Sequence, residues 1–188
     1  MSLVTMQRFA IFRAYQRVLS RRPYLVQAIQ TGALMGAGDL ISQTIIEKKS
    51  FKQIEWQRSA RFSCIGLFII GPTLRVWYGV LNKHIGHTGK TVAVKKVFLD
   101  QVVFAPMVLC SLLCIVGASQ GKNWDSIKQD LNTNYIDILK ANYMLWPWVQ
   151  LLNFYYIPLH YQVLFVQCVA LFWNTYLAWK TNKICEKK

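Results

Sequence analysis

Apolar residues run along the chain in four blocks, roughly Tyr24 to Ile46, Phe62 to Leu81, Val97 to Ala118 and His160 to Trp179, each 20 to 23 residues long. A helix rises about 1.5 Å per residue, so each block is long enough to cross a hydrocarbon core about 30 Å thick and predicts a spanning helix. Polar residues interrupt the blocks: Asp39, Gln43, Arg75, Asp100, Gln101, Gln167 and Asn174. An ionised side chain at the centre of a spanning helix costs about 2.5–3.5 kcal/mol on insertion scales. Three of them in so short a chain predict a bundle with a polar interior: a pore, a translocation path or an internal ion-pair network.

The spacing places these residues on faces. Gly32, Gly36, Asp39 and Gln43 step by four, three and four, a single helix stripe. Gly32 and Gly36 form a GxxxG pair, which lets a second helix approach closely. In the second block Gly71-Pro72 predicts a kink, because proline removes one bond of the helix ladder. The third block opens on Asp100-Gln101 and holds Pro106, while Gln167 and Asn174 share a face of the fourth. The segment from Tyr143 to Pro158 is rich in Trp and Tyr and contains Pro147 and Pro158. It is too short for a plain span, so it predicts an interfacial or re-entrant element, with Gln150 and Asn153 one turn apart at a mouth of the bundle.

Depth sorts the intramembrane charges. With each block centred in the bilayer, Arg75 lies about 5 Å and Asp100 about 11 Å toward one side, and Asp39 about 6 Å toward the other. This ranking predicts a structural ion pair between Arg75 and Asp100, and leaves Asp39 to face the path and set cation preference. The amides, Gln43, Gln150, Asn153, Gln167 and Asn174, line the polar interior in the same reading, or hydrogen-bond between helices.

Composition fits a membrane protein: of 188 residues 54% are hydrophobic, 14% aromatic and only 16% charged, against about a quarter charged in soluble domains. The fold class this predicts is all-α, one multi-pass membrane domain over residues 1–188. Its parts are an amphipathic segment at 1–23, spans at 24–46, 62–81, 97–118 and 160–179, and the interfacial segment at 143–158. The net charge of +14 sits between the apolar blocks, not along one face. No finger spacing or aromatic-basic recognition motif accompanies it, so direct nucleic-acid binding finds no support. With four spans, both termini and the middle loop share a side carrying thirteen basic residues and one acid, against eight basic residues and five acids opposite. The basic-residue asymmetry then puts both termini on the more positive face.

Residues 1–23 hold five arginines and no acid. Such a segment reads either as a mitochondrial address or as an interfacial helix anchored on anionic headgroups. Five cysteines, an odd number, argue against a disulfide framework, and His84 and His87 have no acidic or thiol partner nearby, so no metal site is expected. No nucleophile elbow, phosphate-binding glycine loop or metalloprotease motif occurs, and neither an enzyme activity nor a cofactor is predicted.

Seven segments carry a family resemblance: FRAYQR (Phe12 to Arg17), LMGAGDLISQ (Leu34 to Gln43), Gly71-Pro72, Trp77-Tyr78, LDQ with FAP (Leu99 to Pro106), LWPWVQLLNFYYIPLHY (Leu145 to Tyr161) and QCVALFWNTYLAWK (Gln167 to Lys180). In this order they cover nearly the whole chain, and the chain resembles the Mpv-seventeen / peroxisomal membrane protein twenty-two family of small four-span proteins. Phe12 departs from the family pattern, which often has Trp there. The resemblance implies a non-selective or weakly selective channel of the mitochondrial inner membrane. It further implies modulation of membrane potential and oxidative stress, and a link to mitochondrial DNA maintenance and deoxynucleotide supply. Its partners are then the lipid bilayer and small ions or metabolites, with a homo-oligomer or larger inner-membrane complex left open. A peroxisomal membrane is the alternative address; a metabolite carrier or a non-conducting scaffold is the alternative role.

Overall fold

The computed structural model describes residues 23–86, 89–157 and 159–186; the amphipathic segment expected at 1–22 lies outside them. Five long helices follow one another. Helix α1 (Pro23–Ile41) ends in a wide π turn, Ser42–Ile46. After a single 3-10 turn at Phe51–Gln53, α2 runs over Trp56–Ile85. Helix α3 is built of Lys90–Leu99, a π turn at Asp100–Phe104, and Ala105–Ser119. Helix α4 is Trp124–Tyr155 and α5 is Leu159–Glu186. The helices α2 and α3 are long and apolar enough to cross a membrane, the latter counted from Thr91 to Ser119. Their apolar side chains mostly stay exposed, among them Phe68, Val76, Phe98 and Met107. That is the pattern of a surface that meets lipid.

Local chemistry explains the boundaries. Asn123 caps α4 by accepting the Ser126 backbone N–H at 3.0 Å, and Asp125 in the first turn suits the positive end of the helix dipole. Gly86 and Gly89 flank the α2–α3 connection with φ of 109° and 112°, which side-chain-bearing residues rarely adopt. Pro72 and Pro106 each follow directly on a π turn, Gly66–Ile70 and Asp100–Phe104. The residue before each proline reaches back five positions, Gly71 N–H to the Gly66 carbonyl and Ala105 N–H to that of Asp100. The wide turn absorbs the ladder bond that proline cannot make, so the helix passes the proline unbroken.

The segment expected to be interfacial or re-entrant is instead the second half of α4, which continues through Pro147. It is neither broken nor folded back, because the helix packs along both α3 and α5. The Tyr135 hydroxyl donates to the Pro106 carbonyl at 3.1 Å, and Asn142 Nδ2 donates to Gln101 Oε1 at 2.8 Å. Toward α5, Trp146 meets Trp173 edge to face at 6.4 Å and Lys180 lies 3.5 Å from Asp137. Both pairings are antiparallel. Helices α1, α3 and α5 therefore run one way, and α2 and α4 the other.

This order corrects the side assignment made from charge: the start of α1 and the end of α5 lie at opposite ends of the bundle. Arg61 Nη1 to the Ser119 carbonyl, and Gln120 Nε2 to Asn182 Oδ1, tie the start of α2 and the ends of α3 and α5 together at one end. The core between the helices is built of Met35, Phe62, Ile65, Leu109, Ile138 and Trp173 with their buried neighbours.

Candidate functional site: a central cavity and an ion network above it

Close helix contacts set the frame. On α1, Gly32 faces the Ser63 carbonyl and Leu67, and Gly36 faces Ser63, both on α2. Gly71 of α2 lies against Ala28, and Gly38 against Asn174 and Thr175 of α5. A side chain at these positions would hold the helices apart, so glycine brings α1 into near-backbone contact with two neighbours.

Where α1 meets the start of α2, the polar side chains close on one another. Asp39 is fully buried and accepts three bonds: from Arg58 Nε at 2.7 Å, the Ser59 hydroxyl at 2.6 Å and Gln43 Nε2 at 2.8 Å. Gln43, also fully buried, accepts the Glu55 backbone N–H at 2.8 Å. Arg58 turns its other two nitrogens on Glu47, at 2.8 and 2.5 Å, a two-point grip suited to a planar carboxylate. Lys49 joins Glu47 at 2.9 Å and Glu55 at 2.5 Å.

Asp39 and Gln43, expected to line a path, are thus locked inside a network. The partner of Asp39 is Arg58, which lies outside the expected second span, because the helix begins six residues before the apolar block does. Upstream helical extension from Phe62, through Ser59 and Arg58, is the sequence signal that would have found it. At Glu47 burial acts to raise the carboxyl, but hydrogen bonds from Arg58 and then Lys49 outweigh it and hold it at about 2, below the ordinary 4.5. A depressed carboxyl stabilises the fold above its unfolded value and loses that contribution as it is protonated. Thermal stability in detergent is expected to fall as pH drops from about 4.5 toward 2. Glu47→Gln should be less stable at neutral pH and show a flatter profile across that window.

Below the network a cavity of about 490 Å³ opens in the middle of the bundle, and all five helices line it. From α1 come Gln27, Gln30 and Thr31, and from α2 Arg75 and Tyr78. Asp100 of α3, Asn142 and Gln150 of α4, and Gln167 and Asn174 of α5 complete the polar lining. Phe104, Trp146 and Trp173 supply aromatic walls. Gln150, Gln167 and Asn174, expected to line a polar interior, are among the residues that line this cavity. Asn153 is buried on α4 and does not line the cavity. Gln27, Gln30 and Thr31, near the start of the first block, and Asn142, outside the four blocks, are not singled out in the sequence, and only the packing of the helices brings them to the cavity.

The expected ion pair between Arg75 and Asp100 is not formed. Both residues reach the same cavity, but each is held by other groups. The Arg75 guanidinium lies over the Tyr24 ring, 4.8 Å from its centre. Asp100 accepts from Trp77 Nε1 at 3.1 Å and from Gln101 Nε2 at 3.3 Å. Depth placed the two charges at similar heights; the neighbours of each, which depth does not specify, decide the contacts. Among the described residues no group of His, Cys, Asp and Glu side chains is placed to hold a metal ion.

Comparison with known proteins adds a family. Residues 117–178 match the model of the Mpv17 / PMP22 family. Mitochondrial inner membrane protein Mpv17 of Homo sapiens is 44% identical over 179 residues, 93% of this chain and 99% of the human protein. The Danio rerio protein of that name is 42% identical over 174 residues, 93% of this chain and 98% of its own length. That of Drosophila melanogaster is 41% identical over 163 residues, 86% of this chain and 97% of its own. No solved structure matches the chain.

Proposed function

The chain belongs to the Mpv17 / PMP22 family and is a protein of the mitochondrial inner membrane, and from that premise we propose that it conducts small ions or polar metabolites through the middle of its helix bundle. The cavity lined by all five helices carries this reading. Its size falls in the range of sites that hold small molecules, about 300–1,000 Å³, and its walls combine apolar surface with convergent polar groups. Asp39 takes no part in selection, since its charge is spent on Arg58. Asp100 is the carboxylate at the cavity wall, and with Arg75, opposite in sign, lining the same cavity the cation preference is weak. A path of this kind bears on membrane potential and oxidative stress. Through the solutes it passes, it bears on deoxynucleotide homeostasis and mitochondrial DNA maintenance.

Purified protein in planar bilayers tests the reading. Discrete conductance steps are expected, and Ala170→Trp, which places a bulky ring in the cavity, should lower unit conductance several-fold. Saturable, electrically silent solute flux would instead make the protein a carrier, a reading favoured by the ion network standing between the cavity and one end of the bundle. Absence of both would leave a scaffold and overturn the transport reading.

A further inference from the structure

Two opposite charges face the cavity without facing each other. Arg75 rests on an aromatic ring, and among the described residues no carboxylate lies within ion-pair distance of it. Asp100 is held by an indole N–H and an amide, both of them neutral donors. An ionised group inside a spanning helix is costly unless an opposite charge or dense hydrogen bonding answers it. The other intramembrane acid, Asp39, has such an answer in Arg58 at 2.7 Å. Among the described residues neither Arg75 nor Asp100 has an opposite charge within ion-pair distance, although both are partly exposed to the same space.

Geometry keeps them separate. Arg75 is drawn toward Tyr24 at the start of α1, while Asp100 is drawn toward Trp77 of α2. The two anchors, Tyr24 and Trp77, lie on different helices, and the two charged side chains reach the same cavity from separate holds. The remaining wall is amide and aromatic, with Trp146 and Trp173 across the cavity.

We infer that the cavity is a binding site for a small zwitterion of the amino-acid type, its carboxylate on Arg75, its ammonium on Asp100 and its apolar body against Trp146 and Trp173. This inference rests on the transport reading for its physiological role, but binding itself stands apart from flux. A zwitterion supplies both missing counter-charges in one molecule. A solute with several negative charges meets one guanidinium and one opposing carboxylate, and a simple cation leaves Arg75 unanswered. The planar guanidinium fits a carboxylate at two points, and the Asp100 carboxylate accepts from an ammonium.

The full-length protein, purified and reconstituted in liposomes, tests this with three probes of one size: leucine, the cation leucinamide and the anion 4-methylpentanoate. Binding is read by quenching of tryptophan fluorescence and transport by radiolabelled uptake. Leucine is expected to bind and enter at least tenfold better than either singly charged analogue. Arg75→Gln should shift preference to leucinamide, and Asp100→Asn to 4-methylpentanoate. Arg75→Lys and Asp100→Glu, which retain charge, should keep the zwitterion preferred and serve where an amide variant does not fold. Equal passage of the three probes, unaltered by the variants, overturns the inference and leaves the transport reading intact. Selective binding of leucine without flux of any probe or ion upholds the site and overturns transport. Neither binding nor flux overturns both.

Discussion

Arg58→Met is expected to lower stability by about 3–5 kcal/mol, the loss seen when one member of a buried ion pair is removed and its partner stays charged. Arg58 is 5% exposed and answers two carboxylates at once, Asp39 within the helix pair and Glu47 at its edge. Its removal leaves Asp39 with a hydroxyl and an amide but no cation. Arg58→Lys should recover only part of the loss, because an ammonium cannot span Asp39 and grip Glu47 at two points together. Replacing Asp39, Glu47 and Arg58 all by apolar residues should restore much of the stability, since it removes the burial of charge as well as the pairing. Thermal unfolding in detergent gives the ranking: wild type, then Lys, then Met. A Met variant as stable as wild type would show that the network adds nothing to the fold.

Glycine substitutions should separate into two groups according to what an added carbon meets. At Gly71 it would lie 2.7 Å from the Ala28 Cα and 3.0 Å from the Gly66 carbonyl oxygen, and at Gly38 within 2.9 Å of backbone atoms of Asn174 and Thr175. Backbone cannot move aside without parting the helices, so Gly71→Ala and Gly38→Ala should each cost about 1–3 kcal/mol, despite the helix propensity of alanine. At Gly36 the closest atom, at 2.0 Å, is the Ser63 hydroxyl, the rotatable end of a side chain. Gly36→Ala paired with Ser63→Ala should therefore be close to neutral. Gly79 has open space on that side, and Gly79→Ala should stabilise by up to about 1 kcal/mol. Melting temperatures that do not separate Gly38 and Gly71 from Gly79 would refute the close-contact account.

Each of the four apolar blocks falls on a helix, because a run of apolar residues reports directly on what may face lipid or core. The helix ends were not legible in that way. The ladder of α2 begins at Trp56, well before the apolar block at Phe62, since backbone bonds continue past the point where side chains turn polar. Arg58, the partner of Asp39, was hidden there. The chain at Tyr143–Pro158 reads as interrupted because proline usually interrupts, yet packing of α4 on α3 and α5 carries the helix through Pro147. That tertiary override reversed the direction of α5 and with it the side assigned to the chain's end. Gln167 and Asn174, placed on one stripe by spacing, and Gln150, placed at a mouth, line the cavity, whereas the separation of Arg75 from Asp100 depends on Tyr24 and Trp77, whose contacts neither spacing nor depth specifies.

Every bond of the Asp39–Arg58 network is made within residues 39–59, and its most distant partners, Asp39 and Ser59, are 20 positions apart. The network therefore needs nothing from α3, α4 or α5. The contacts of α1 with the first turn of α2 can form without waiting for α3, α4 or α5 to pack. In that hairpin Asp39 is answered by Arg58 and is not a lone acid facing lipid. A hairpin closed by its own residues is suited to cross the membrane as one unit, with the later helices packing onto it.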